Sequence, residues 1–363
     1  MFVALRDIRF ARGRFALMGS VVALITLLIV LLSGLTAGLA DQSTSAVREL
    51  PASHVAFGTS GDDAPEESYD DSGVTGAQLD AWSGADGVEW AEPLGLTTVR
   101  AEFDDGASSA VALFAAPAGG RLAPEGVADG VVVGRDLADE YGLEAGDTLT
   151  VVGTDLTVSA VADTGHHSHL PVVWADIDAW RELDPRPDRG GTPDAPVATV
   201  VAAEVASPDA AEAADESAGT VSATRDDSLT AIGSFSSENG SLVAMQGFLY
   251  AISALVVGAF LTVWTIQRAG DVAILKALGG STRYLLRDAV AQALVVLVSG
   301  AAVGGAAGVA LGAAAASALP FALTPATTLG PVAAMVGLGM LGAVLAVRRI
   351  TSVDPLTALG GVR

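Results

Sequence analysis

The chain has 363 residues, 51% of them hydrophobic, and a mean hydropathy of +0.49. It is too long for one small domain and more apolar than an ordinary soluble chain, and with no cysteine it can form neither disulfides nor thiolate metal centres. The net charge of −23 is unevenly divided. Residues 1–15, 267–288 and 348–363 hold eleven Arg/Lys against four acids, or +7, while residues 41–241 hold eight Arg against thirty-eight acids, or −30. Basic flanks on one side of a membrane and an acidic domain on the other account for this pattern.

In chain order, residues 1–14 place Phe2, Leu5 and Ile8 on one helical face between arginines, the pattern of an amphipathic helix on a cytoplasmic surface. Residues 15–40 form the first membrane span, since a hydrocarbon core of about 30 Å needs roughly 20 apolar residues. The small residues at Gly38-Leu39-Ala40 offer a cleaved signal peptide as the alternative, against which stands an apolar run far beyond the usual 7–15 residues. Residues 41–241 form an extracytoplasmic α+β domain. Within it, 41–50 and 226–241 read as stalks that extend the neighbouring spans. Strands are expected at 94–103, 107–115, 131–133, 148–152, 155–162, 172–174 and 197–204, the last of them closing the domain. Helices are expected at 135–142 and 176–183. The acidic stretches 60–73, 184–196 and 207–220 read as mobile loops. The second span is 242–266. A short amphipathic cytoplasmic loop, 267–288, carries Gly279-Gly280 between two apolar stretches and suits a helix–turn–helix. The third span is 289–319 and the fourth 329–347, preceded by Pro320, Pro325 and Pro331. A cytoplasmic tail, 348–363, follows. Both termini then lie in the cytoplasm of a multi-pass plasma-membrane protein whose large domain is extracellular.

Gly300, Gly304, Gly308 and Gly312 recur every four residues, so one stripe of the third span lets another backbone approach closely. Packing within one subunit is the simpler reading, and a subunit interface is the other. The only lysine, Lys276, follows Leu275 and not a glycine-rich loop, so the chain has no P-loop for nucleotide hydrolysis. The spans hold no ionisable groups of the kind ion-coupled carriers use, which points to a motor on another polypeptide. His166, His167 and His169 cluster, which suits either a metal site or a polar loop between strands. Around the outer ends of spans one and two stand Arg48, Glu49, Glu238, Met245, Phe248 and Tyr250. Met, Tyr and Glu can ligate iron and Arg can pair with carboxylates, and an ordinary interface belt with stalk ion pairs accounts for the same residues.

Several motifs carry a family resemblance. Residues 268–281 (RAGDVAILKALGGS) resemble the cytoplasmic loop of MacB/FtsX-like ABC transporter permeases, with Asp271 at the usual glutamate, Ala273 at the usual glycine and Gly280 at the usual alanine. The tail 348–359 (RRITSVDPLTAL) resembles that family's closing motif, and 131–151 (VVVGRDLADEYGLEAGDTLTV) resembles its strand–helix–strand element. The order of one span, a large outside domain and three further spans is the family's layout. A narrower similarity points to haem-exporter-type permeases: 235–267 (FSSENGSLVAMQGFLYAISALVVGAFLTVWTIQ) is similar to the lead into their second span, with Phe235 in place of tyrosine, and Ser168–Val173 (SHLPVV) is similar to their S-H-x-P-V-V stretch.

This resemblance implies a MacB-like (type VII ABC) architecture of four transmembrane helices plus an α+β extracytoplasmic domain. It implies a non-catalytic permease that works as a homodimer with two copies of a separate ATPase, which binds ATP and Mg. Asp271, Ile274, Leu275, Lys276, Leu278 and Gly279 would couple to that ATPase. It implies no intrinsic cofactor and no nucleic acid, with haem as the exported ligand. Arg48, Glu49, Glu238 and Met245 would contact haem, Phe248 and Tyr250 would wall it, and His169 is a further candidate. The alternatives are an FtsX-like transducer that controls a cell-wall hydrolase, or an exporter of another amphiphile.

Overall fold

The computed structural model describes residues 12–59, 64–183, 195–267, 282–316 and 318–351. The chain separates into two compact units, Leu39–Asn239 and Met1–Gly38 with Gly240–Arg363. The amphipathic residues 1–11, the coupling positions within 268–281 and the tail from 352 lie outside the described residues.

The second unit is helical. It takes in the membrane-facing part of α1 (Arg12–Arg48), the first of the described helices, and, after the outer domain, the corresponding part of α6 (Gly233–Gln267), then α7 (Thr282–Ala315) and α8 (Pro325–Thr351). All four helices are long and apolar enough to cross a membrane. α1, α6 and α8 extend past both ends of the spans read from the sequence, while α7 starts before its span and stops at Ala315, short of 319; the fourth needs a further correction. Pro325 and Pro331 were expected to precede it, yet α8 starts at Pro325 and contains Pro331. Thr324 caps this start: its hydroxyl accepts from the Thr327 amide at 3.2 Å, while the Thr327 hydroxyl accepts from the Thr324 amide at 2.9 Å. Proline belongs at the first helical position, where no intrahelical donor is lost.

The glycine stripe packs inside the chain. A Cβ on Gly300 would lie 2.8 Å from the Gly19 carbonyl oxygen, and one on Gly304 would overlap the Ala23 carbonyl, so α1 and α7 touch backbone to backbone. Met18, Val22, Val257, Val296, Leu297 and Met335 fill the shared core of this unit.

The outer unit is built on a ten-stranded sheet. Its strands are β1 (His54–Phe57), β3 (Val88–Phe103), β4 (Ser108–Ala116), β5 (Val131–Gly134), β6 (Thr148–Val151), β7 (Thr154–Ala162), β8 (His166–His167), β9 (Leu170–Asp176), β11 (Val200–Val205) and β12 (Val221–Thr224). β2 (Val74–Thr75) and β10 (Pro196–Ala198) pair separately. The order is β12-β1-β11-β3-β4-β9-β5-β7-β6, and β6 pairs back onto β3. Six strands thus close into a ring, with β12, β1 and β11 as a wing. The long β3 serves both, giving residues 88–94 to β11 and 101–103 to β6.

Alternation along the strands sorts side chains into separate cores. Val111, Leu113 and Ala115 join α3 (Arg135–Tyr141) and α4 (Ile177–Leu183) on one face. Ala112, Phe114 and Ala116 face the other way, toward Val47 and Leu50 at the end of α1 and Ile232 and Phe235 at the start of α6. On the wing, α2 (Gly76–Gly84) and α5 (Pro208–Ala218) bury Trp82, whose indole donates to Thr220 Oγ1 at 2.8 Å.

Two expectations fail here. Residues 207–220 are not a loop: Ser207 caps α5, Pro208 opens it and Gly219, at φ +65°, closes it. The strand at 197–204 does not end the domain, because β12 follows and pairs with β1. β1, β2 and α2 are further elements the sequence reading omits. Of the stretch 60–73, residues 64–73 form turns leading to β2, while 60–63 lie outside the described residues, as does most of 184–196.

Candidate functional site

The polar residues near the ends of α1 and α6 converge on the short segment between β7 and β9. Gly165–His169 lies along the last turns of α1. Its main chain donates three bonds there: His166 N to Ser45 Oγ at 2.9 Å, Ser168 N to the Ser43 carbonyl at 3.1 Å, and His169 N to the Gln42 carbonyl at 3.0 Å. Ser168 and His169 both take left-handed backbone, φ +50° and +65°, which is costly for side chains with a Cβ and persists where neighbours over-determine it.

The same segment reaches the start of α6. His169 Nε2 lies 2.9 Å from Glu238 Oε2 and 3.1 Å from Ser43 Oγ. An ionised carboxylate only accepts, so the ring nitrogen facing Glu238 carries the hydrogen. Ser234 Oγ donates to Ser168 Oγ at 3.1 Å. Two residues that the sequence singles out separately, His169 and Glu238, are thus in direct contact. Ser43 and Ser234 complete the cluster. As plain serines they carried no sequence signal.

Arg48 stands on the same end of α1. It donates to Asp41 at 3.2 Å and to Thr44 Oγ1 at 2.7 Å. Glu49 follows it, and its carboxyl is held above the usual carboxylate range. Partial burial is the main cause, Asp163 and Asp41 push the same way, and Arg48 opposes them. Positive and negative groups alternate on this surface, and the Arg48–Asp41 pair is exposed to solvent.

The three histidines of the cluster go to different places. His166 Nε2 meets Asp136 at 3.5 Å, His169 meets Glu238, and His167 turns into the core. Among the described residues no three His, Asp or Glu side chains gather as a metal site. His167 is 7% exposed and sits edge-on between Tyr69 and Phe114, with centroids at 5.7 and 5.3 Å. Its Nδ1 is buried without a hydrogen-bond partner, and burial pushes its pKa down to about 4. A cavity of about 190 Å³ opens beside it, rimmed by Asp70, Thr97 and Thr98.

In the helical unit, α6 carries Met245 and Phe248 exposed, in a stripe with Ile252 and Leu255, and Tyr250 half-buried. Gln246 Nε2 donates to Thr36 Oγ1 at 3.2 Å, joining α6 to α1. An apolar groove of about 340 Å³ between α1 and α6 is lined by Met18, Val22, Val257, Phe260 and Val263. Met18 precedes Thr36 by eighteen residues, about 27 Å of helix, so this groove and the Thr36–Gln246 contact lie at different levels of α1.

Comparison with known proteins agrees with this architecture. Residues 16–220 match the MacB-like periplasmic core domain and residues 243–355 the FtsX-like permease C-terminal domain. A Staphylococcus haemolyticus protein named as a hemin transport system permease, HrtB, is 25% identical over 372 residues, covering all of both chains. A Mycobacterium tuberculosis protein named as an uncharacterized ABC transporter permease, Rv2563, is 30% identical over 128 residues, which is 33% of this chain and 34% of that one. The periplasmic region of MacB from Actinobacillus actinomycetemcomitans aligns with a TM-score of 0.35 at 11% identity, covering 50% of this chain and 92% of that one. The core-domain match alone spans more than half the chain. With four apolar helices, an α+β outer domain and both sequence matches in the expected order, the chain belongs to the MacB/FtsX family of ABC transporter permeases.

Proposed function

We propose that this permease exports haem from the outer leaflet, driven by a separate ATPase. The observation that carries the proposal is the end-to-end alignment with a protein named as a hemin transport permease. Haem is a flat apolar ring with two carboxylates and an iron, so a site for it needs apolar walls, a cation and a ligating atom. Arg48 would take a propionate. Glu238 and Met245, seven residues apart on α6, share a helix face and would approach the iron. Phe248 and Tyr250 would wall the ring, with Glu49 and His169 at its polar edge. Two copies of the chain would form the site, open sideways to lipid. Nucleotide binding by two ATPase copies, docked through Asp271, Ile274, Leu275, Lys276, Leu278 and Gly279, would close it. The permease itself then carries no catalytic residues, both its termini face the cytoplasm, and its large domain faces outward.

The test is a haem titration of the purified permease in detergent, followed by Soret absorbance. The unmodified protein should show a saturable shift that weakens with non-hydrolysable ATP when the ATPase is co-expressed. The double substitution Glu238→Ala with Met245→Ala should weaken binding about ten-fold or more. Unchanged affinity removes those two residues from the site. No shift beyond that of empty micelles discards haem and leaves another amphiphile, or control of a wall hydrolase, as the activity.

A further inference from the structure

We infer that the segment Gly165–His169 is a latch, hinged on α1 and released from α6 in each turnover. The inference depends on the chain being an ABC permease and is independent of the cargo.

The two attachments of the segment differ in kind. Toward α1 it donates three main-chain hydrogen bonds, two of them to helix carbonyls. Gly165 also lies so close to α1 that a Cβ there would be 2.8 Å from the Ala46 nitrogen. α1 continues to Arg48, so the Gln42 and Ser43 carbonyls also face their own i+4 amides and use their second lone pairs for the segment. Toward α6, among the described residues, it reaches through side chains, His169 to Glu238 and Ser168 to Ser234. The His169 and Glu238 side chains are 29% and 46% exposed, so water competes for both and such a pair contributes little net stability. The α6 side is therefore the one that lets go.

His167, in the middle of the segment, is wedged between Tyr69 and Phe114, which fixes the segment to the domain core. The left-handed pair Ser168–His169 stands next to this anchor. Two adjacent residues in a sparsely populated conformation store strain, which favours release once the α6 contacts are lost. A segment rooted in the core, bonded by its main chain to one helix and by exposed side chains to another, has two discrete arrangements.

The chain has no cysteine, so an introduced pair supplies the only thiols of the permease. Ser168→Cys with Ser234→Cys replaces two hydroxyls 3.1 Å apart and leaves His169 and Glu238 in place. It should cross-link on oxidation in the nucleotide-free permease–ATPase complex. Once it is cross-linked, ATP hydrolysis should fall about ten-fold and recover with reductant. A cross-linked complex that hydrolyses ATP at the reduced rate overturns the latch, and so does failure of the pair to cross-link. Neither readout involves haem, so failure here is distinct from failure of the cargo proposal.

Discussion

Replacing His167 by phenylalanine should make the outer domain less sensitive to acid. The imidazole is buried and its pKa lies near 4, against an ordinary 6.5. The unfolded chain therefore binds a proton at higher pH than the folded one. Stability is complete above about pH 6.5, declines as the pH falls, and levels off below pH 4. A difference of about 2.5 units corresponds to roughly 3 kcal/mol. Phenylalanine keeps the ring between Tyr69 and Phe114, removes the titration, and removes a buried nitrogen that has no partner. At pH 7 the variant should be more stable by about 1 kcal/mol. Urea unfolding of the full chain in detergent, followed by tryptophan fluorescence, reads this difference, since four of the five tryptophans (82, 90, 174 and 180) are in the outer domain. Contributions from groups that the two proteins share cancel in the comparison. The stability gap should widen by roughly 3 kcal/mol from pH 7 to pH 4. Parallel curves over that range would refute the reading that His167 is neutral and desolvated in the folded domain.

Glu49→Gln should raise the melting temperature at pH 7, because burial and the charges of Asp163 and Asp41 already favour the protonated form of Glu49. The gain should shrink as the pH falls through the carboxylate range, and an equal gain at every pH would refute it. Gly304→Leu should destabilise the helical unit by about 2 kcal/mol or more, because its Cβ meets the Ala23 main chain, which cannot yield as a side chain would. Gly330→Leu, where a Cβ would meet no atom within 4 Å, is the matched control, and thermal melts in one detergent compare the two.

The spans and the strand–helix–strand element at 131–151 were legible because each rests on local chemistry. Lipid demands a long apolar run, and Gly142, at φ +67°, ends α3 where the sequence suggests. The errors come from composition outweighing position. By composition residues 207–220 suggest an acidic loop, although Ser207, Pro208 and Gly219 are a cap, a first-turn proline and a terminator around the buried Ala211 and Ala214. Thr324-Pro325 is the same signal at the start of α8, and Pro331 hid it by suggesting a break. The contact of His169 with Glu238 was out of reach for a different reason. It joins positions 69 residues apart and depends on two left-handed residues that no local preference demands.

The place of β1 has a consequence for biosynthesis. β1 lies between β11 and β12, so its two neighbours are made about 150 and 170 residues after it. At about 5–20 residues per second, roughly 10–30 s pass between the appearance of His54 and that of Thr224. Through that interval β1 has both edges open, beside a helix that the membrane has already received. A strand left waiting in this way invites pairing with other chains. The high negative charge of the flanking sequence, which repels like chains, protects the nascent domain at the stage when its fold cannot.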